Sequence, residues 1–159
     1  TLIDGNNTWT YSETTGQLML TVATPAGYNS WIGGFGLPPA DQDPTDDPDQ
    51  DGVANLVEYA LGRNPAVSEG AASTVVKNGA NLELTFNRSD LAATNGDASI
   101  FVSYGTDLTG WTDVAVPAAS GSVGGVAFTI SNGTPNDTVV ASIPTASTTK
   151  FFARVKVVK

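Results

Sequence analysis

The stretch Asp47-Pro-Asp-Gln-Asp-Gly-Val-Ala-Asn-Leu-Val-Glu58 constrains this chain more than any other. Carboxylates alternate at 47, 49 and 51, glycine follows at 52, and side-chain oxygens return at Asn55 and Glu58. With Asp41, Asp43 and Asp46 just before it, so much negative charge repels itself unless a cation neutralises it. The spacing matches positions 1, 3, 5, 6, 9 and 12 of a twelve-residue Ca²⁺ loop, in which alternate oxygens converge on a hard cation and the glycine permits the reversal. This reading assigns Asp47, Asp49 and Asp51 as side-chain ligands, Val53 as a ligand through its carbonyl, Asn55 directly or through water, and Glu58 as the bidentate ligand. Asp41, Asp43 and Asp46 are candidates for a second ion, or for biasing the first. The alternative is a solvated acidic linker, and the six matched positions weigh against it.

The sequence around the loop allows half of an EF-hand. Pro38, Pro39 and Pro44 forbid an entering helix. An exit helix is expected from about Val53 to Leu61, stopped by Gly62, with Arg63 beside its negative C-terminal end and Pro65 beyond. Val53, Leu56, Val57, Ala60 and Leu61 fall at helical spacing and form one buried face. With no partner helix to swing open, the loop reads as a clip and not as a sensor. At a dissociation constant of about 10⁻⁴ M and roughly millimolar calcium, such a clip stabilises a fold by about 1.4 kcal/mol.

On either side of the clip the pattern is β. Residues 2–22 alternate in two or three short strands, through Trp9 and Tyr11 and then Leu18, Leu20 and Val22, with turns at Asp4-Gly-Asn-Asn7 and Thr14-Thr-Gly16. From Ser73 onward seven strands are expected, at 74–77, 82–86, 100–104, 111–116, 126–130, 139–143 and 151–158. The chain therefore reads as mainly β: an antiparallel sandwich (67–159), preceded by N-terminal strands with a linker (1–37) and by the loop with its one short helix (38–66). Tyr28-Asn-Ser-Trp31 allows a single helical turn, and Trp31, Phe35 and Leu37 are expected to pack against the exit helix.

Composition removes several chemistries. The chain has no cysteine and no histidine, so disulfides, thiolate nucleophiles, imidazole bases and imidazole-zinc sites are excluded. Carboxylates alone would have to carry catalysis. Those outside the loop, Asp4, Glu13, Glu69, Glu83, Asp90, Asp97, Asp107, Asp113 and Asp137, sit mostly at turns with no motif joining any two, so no enzyme is expected. Asp107 reads as a local turn former. A net charge of −9, with the few basic residues scattered or on a terminal strand, argues against nucleic-acid or anionic-membrane partners. No run approaches a membrane span, no signal peptide is visible, and a first residue of Thr reads as a piece of something longer.

The run Asp46-Asp-Pro-Asp-Gln-Asp-Gly-Val-Ala-Asn-Leu-Val-Glu-Tyr-Ala-Leu-Gly-Arg-Asn-Pro65 resembles the linker near the C-termini of large secreted bacterial proteins, and is similar to thrombospondin type 3 and dockerin half-loops. Tyr104-Gly-Thr-Asp-Leu-Thr-Gly-Trp111 and Lys150-Phe-Phe-Ala-Arg154 are similar to elements of the β-sandwich that follows in such proteins. Residues 1–22 resemble the last turn of a passenger-associated repeat in autotransporter-like β-helical surface proteins. The resemblance implies an extracellular or cell-surface, calcium-stabilised, non-catalytic module of a secreted bacterial protein. Two functions stay open: a structural or adhesive part that can assemble with copies of itself into a fibre, and a carbohydrate-binding module attached to a secreted hydrolase. The second needs aromatics exposed together for stacking on surface glycans, with Trp31, Tyr104 and Trp111 as candidates.

Overall fold

The computed structural model describes residues 2–4, 7–21, 27–145 and 150–159. The fold is mainly β, with three antiparallel sheets and three short α-helices among the described residues. An N-terminal meander comprises β1 (Leu2–Asp4), β2 (Asn7–Ser12) and β3 (Gln17–Thr21). Gly16 turns β2 into β3 at a φ of 64°, its amide donating to the Ser12 carbonyl. The expected turn after Asp4 falls on residues 5 and 6, and Val22 lies beyond β3; all three are outside the described residues.

The sandwich follows the loop region. Its strands are β4 (Ser73–Asn78), β5 (Asn81–Ser89), β6 (Ser99–Gly105), β7 (Thr112–Ala115), β8 (Gly121–Val123), β9 (Val126–Ser131), β10 (Asn136–Pro144) and β11 (Phe152–Val158). They form a five-stranded sheet in the order β4-β5-β10-β9-β8 and a three-stranded sheet in the order β11-β6-β7. Period-two alternation puts Leu82, Leu84 and Phe86 of β5 and Val139, Ala141 and Ile143 of β10 on the inner face, where they are buried. Val102, Val114, Val126 and Phe128 complete this core, and Ala153 and Val155 of β11 pack against it.

Two elements go beyond the seven expected strands. The short β8 folds back on β9 around Gly124 and Gly125, both at positive φ. Helix α3 (Asp90–Asn95) interrupts the strands; Ser89 caps it by accepting from the Ala92 amide, and Gly96 ends it in the left-handed conformation.

Ahead of the sandwich, α1 (Tyr28–Gly33) realises the expected helical turn, and a 3₁₀ turn follows at Pro39–Asp41. The exit helix α2 spans Asn55–Leu61. It begins two residues later than its apolar spacing suggested, because Ala54 is the N-cap and carries no capping side chain. The loop supplies the caps: the Asn55 amide donates to the Asp46 carbonyl and the Leu56 amide to that of Pro44. Gly62 ends α2 in the left-handed conformation, as expected. Leu61 enters the sandwich core, while Tyr59 enters a second core with Tyr28, Ile32 and Ala92. The helix that leaves the acidic loop is thus shared by two hydrophobic clusters, so a displacement of the loop strains both.

Candidate metal centre

Residues 47–53 turn tightly because each aspartate lends one oxygen to the backbone ahead of it. Gly52 donates its amide to Asp47 Oδ2 at 2.9 Å, Asp51 to Asp49 Oδ1 at 3.0 Å, and Val53 to Asp51 Oδ1 at 2.9 Å. The reversal uses φ of 61° at Gln50 and 87° at Gly52. The result brings Asp47, Asp49 and Asp51 together, with one carboxylate oxygen from each lying within 4.8 Å of the others. That acidic cluster could hold a metal ion.

Among the described residues, Asp47 Oδ1, Asp49 Oδ2, Asn55 Oδ1 and both Glu58 carboxylate oxygens are buried with no hydrogen-bond partner. A buried acceptor left without a donor costs about 1–3 kcal/mol, and more when charged. Five such oxygens, at loop positions 1, 3, 9 and 12, form a hard-donor set that suits an oxygen-seeking cation. Glu58 is 0% exposed and stands outside the tight three-aspartate group. Burial pushes its carboxyl up to about 7, the charges of Asp49 and Asp51 adding to that shift and Arg63 opposing it. Asp49 is also raised, first by burial.

Asp51 differs from its neighbours. Its Oδ2 accepts from Arg63 at 2.8 Å and from the Glu69 amide at 3.1 Å. Its carboxyl stays below the ordinary range because these donors and the Val53 amide outweigh the effect of burial. Arg63, which sequence placed against the α2 dipole, instead reaches back to the loop and also donates to the Gly70 carbonyl. A nearby carboxylate outbids a helix end shared among several carbonyls. The loop is thereby tied to the segment leading into β4, a link no local pattern signals.

The other acidic residues serve the loop's frame. Asn55 donates its side-chain amide to the carbonyls of Asp41 at 3.0 Å and Asp43 at 2.9 Å. Asp46 Oδ2 accepts from the Asp43 amide. Asp41, Asp43 and Asp46 thus fold over the start of α2, and their carboxylates do not form a second converging group.

The aromatic candidates are dispersed. Trp31 packs in the second core, its ring 5.2 Å from Tyr59 and 5.0 Å from Phe35, as expected for packing on the exit helix. Leu37 joins the same cluster. Tyr104 stacks on Phe151 at 5.7 Å beside the sandwich core, and the Arg154 guanidinium lies 4.2 Å from the centroid of Trp111. Asp107 is the turn former its sequence suggested, its Oδ1 accepting from the Thr109 and Gly110 amides. Sequence reasoning missed Asp97, which accepts from the Tyr28 amide and the Tyr59 hydroxyl and so joins α1 to α2; only the fold brings these residues together.

Comparison with protein-family models, with curated proteins and with solved structures found no match for the chain. Among the described residues no helix is long and apolar enough to cross a membrane.

Proposed function

We propose that this chain is a non-catalytic structural and interaction module of the bacterial cell exterior, held rigid by Ca²⁺ in the 47–58 loop. The observation that carries this reading is the set of five unpartnered buried oxygens on Asp47, Asp49, Asn55 and Glu58. Oxygen donors in a loop of this spacing favour Ca²⁺ over softer metals, which seek sulfur or imidazole. Because α2 feeds both hydrophobic clusters, neutralising the loop would lock the junction between the helical cluster and the sandwich. The external location follows from the resemblance of the loop and helix to those of secreted bacterial proteins. Thermal melting in millimolar calcium and in chelator tests the clip: calcium should raise the midpoint, and equal midpoints would sink the reading.

A glycan-binding role is favoured by one feature. A cleft of about 520 Å³ lies between Trp31, Arg63, Asp90, Thr94 and Asn136; it offers one aromatic ring beside polar side chains in place of a shared stacking platform. Retention on a glycan array, lost in Asp90→Ala, would support it; an empty array would remove it.

A further inference from the structure

We infer that Arg63 is the built-in counter-ion of the 47–58 loop and sets its calcium affinity. Its guanidinium balances the charge of Asp51 when calcium is absent, and opposes any cation that enters. The inference rests on the calcium reading above and adds to it the residue that tunes the site.

Asp51 departs from the pattern of the loop. Asp47 and Asp49 each give one oxygen to a backbone amide and keep the other buried without a partner. Asp51 gives Oδ1 to the Val53 amide at 2.9 Å, and its Oδ2 is filled as well, by Arg63 at 2.8 Å and the Glu69 amide at 3.1 Å. The ion pair is sheltered, with 12% of the Arg63 side chain and 2% of the Asp51 side chain exposed. Salt and solvent therefore screen it weakly. Asn55 and Glu58, both 0% exposed, add three more oxygens without donors to the same loop.

Arg63 is the cation this loop has at hand. Residues 1–62 contain no lysine or arginine, so Arg63 is the first basic side chain in the sequence. Among the described residues, the ion pairs of Arg88 with Asp137 and of Lys156 with Asp113 lie in the sandwich and do not touch the loop. Glu69 lies 3.6 Å from Arg63 Nε, beyond hydrogen-bond reach, and its side chain is 41% exposed. The charge of the guanidinium is therefore directed at Asp51.

Two effects of removing that guanidinium oppose each other. Asp51 loses a tether, which weakens calcium binding, and the loop gains one unit of net negative charge, which strengthens it. The tether is the smaller effect, because the Val53 and Glu69 amides still donate to Asp51 and keep it in place. Charge is the larger, since a cation beside a buried ligand repels a divalent ion through a medium that screens poorly. Loops of this kind are tuned by ligand charge and rigidity, and Arg63 lowers the first while adding to the second. The outcome is a loop that holds together in chelator and fills at millimolar calcium.

The test compares full-length wild type with Arg63→Gln, which removes the charge, and Arg63→Lys, which keeps the charge without the fork. Equilibrium competition with a chelator at pH 8 should show Arg63→Gln binding calcium about tenfold more tightly than wild type, and Arg63→Lys within about threefold of it. Release into excess chelator, followed by stopped flow, starts from folded, calcium-loaded protein and reads the same charge even where a variant does not fold without the ion. Arg63→Gln should release calcium more slowly than wild type. In chelator it should melt below wild type, and saturating calcium should narrow that gap. Damage to the fold speeds release, so a merely structural role for Arg63 cannot produce the slower one. Release from Arg63→Gln as fast as from wild type or faster, or an Arg63→Lys protein that behaves like the glutamine variant, would overturn the inference and leave the clip standing. Wild type and both variants without calcium uptake would overturn the clip, and the inference with it.

Discussion

Replacing Glu58 by glutamine should have opposite effects with and without calcium. In metal-free protein the Glu58 carboxyl titrates near 7 against an ordinary value of 4.5, chiefly because it is buried. Between those values the folded state holds a proton that the unfolded chain has released, so stability falls as pH rises and the loss is complete above about pH 7. The shift corresponds to about 3 kcal/mol, or roughly 6–12 °C in melting midpoint for a chain of this size. Glutamine keeps the shape and cannot ionise. In chelator at pH 8, Glu58→Gln should therefore melt above wild type, and its midpoint should change less between pH 5 and pH 8. In millimolar calcium the order should reverse, because the variant lacks the carboxylate proposed as the bidentate ligand. Melting curves over that pH range in both conditions decide it. A variant that melts below wild type in chelator at pH 8, or that gains as much from calcium as wild type does, would refute the assignment of Glu58.

Two further substitutions test the frame around the site. A Cβ on Gly62 would run into the Asn136 side chain, at a backbone φ of +69°, so Gly62→Ala should destabilise by about 2–4 kcal/mol. Adding Asn136→Gly should recover the steric part and leave about 1 kcal/mol of left-handed strain, read by a urea double-mutant cycle. In the sandwich, Asp137 accepts from Arg88 at 2.6 Å with both side chains largely buried. Asp137→Ala should cost about 3 kcal/mol, measured by urea unfolding, because the guanidinium loses its carboxylate counter-ion and keeps only the Pro117 and Ala118 carbonyls. The Arg88 hydrogen bonds hold the Asp137 carboxyl below its ordinary range. In the parent protein this contribution is present above the unfolded carboxylate pKa and is lost as pH falls through the lower folded value.

How much of this could be read from sequence follows from the range of the interactions. The turn that gathers Asp47, Asp49 and Asp51 was legible because those carboxylates lie within a few consecutive residues and Gly52 permits the reversal between them. The left-handed Gly62 and the inner face of β5 were legible for the same reason, each being a local period or a local stop. The start of α2 was not, because its caps are the carbonyls of Pro44 and Asp46 and not a side chain at the helix start. Helix α3 was hidden by its shortness; its signals were Ser89 and Gly96, seven residues apart in a stretch otherwise weak in pattern. The strand β8 has a single apolar residue, and its pairing is imposed by the two glycines that follow. The turn of Arg63 toward Asp51 and Gly70, and the joining of α1 to α2 through Asp97, are tertiary, and no window of sequence contains them.

We propose that the 47–58 loop binds one calcium ion through its unpartnered oxygens. Isothermal titration of chelator-treated protein with Ca²⁺, wild type against Asp47→Ala, tests it most directly. One ion per chain is expected for wild type, and at least a tenfold weaker affinity for the variant. A chain that takes up no calcium, or a variant that binds as tightly as wild type, would contradict it.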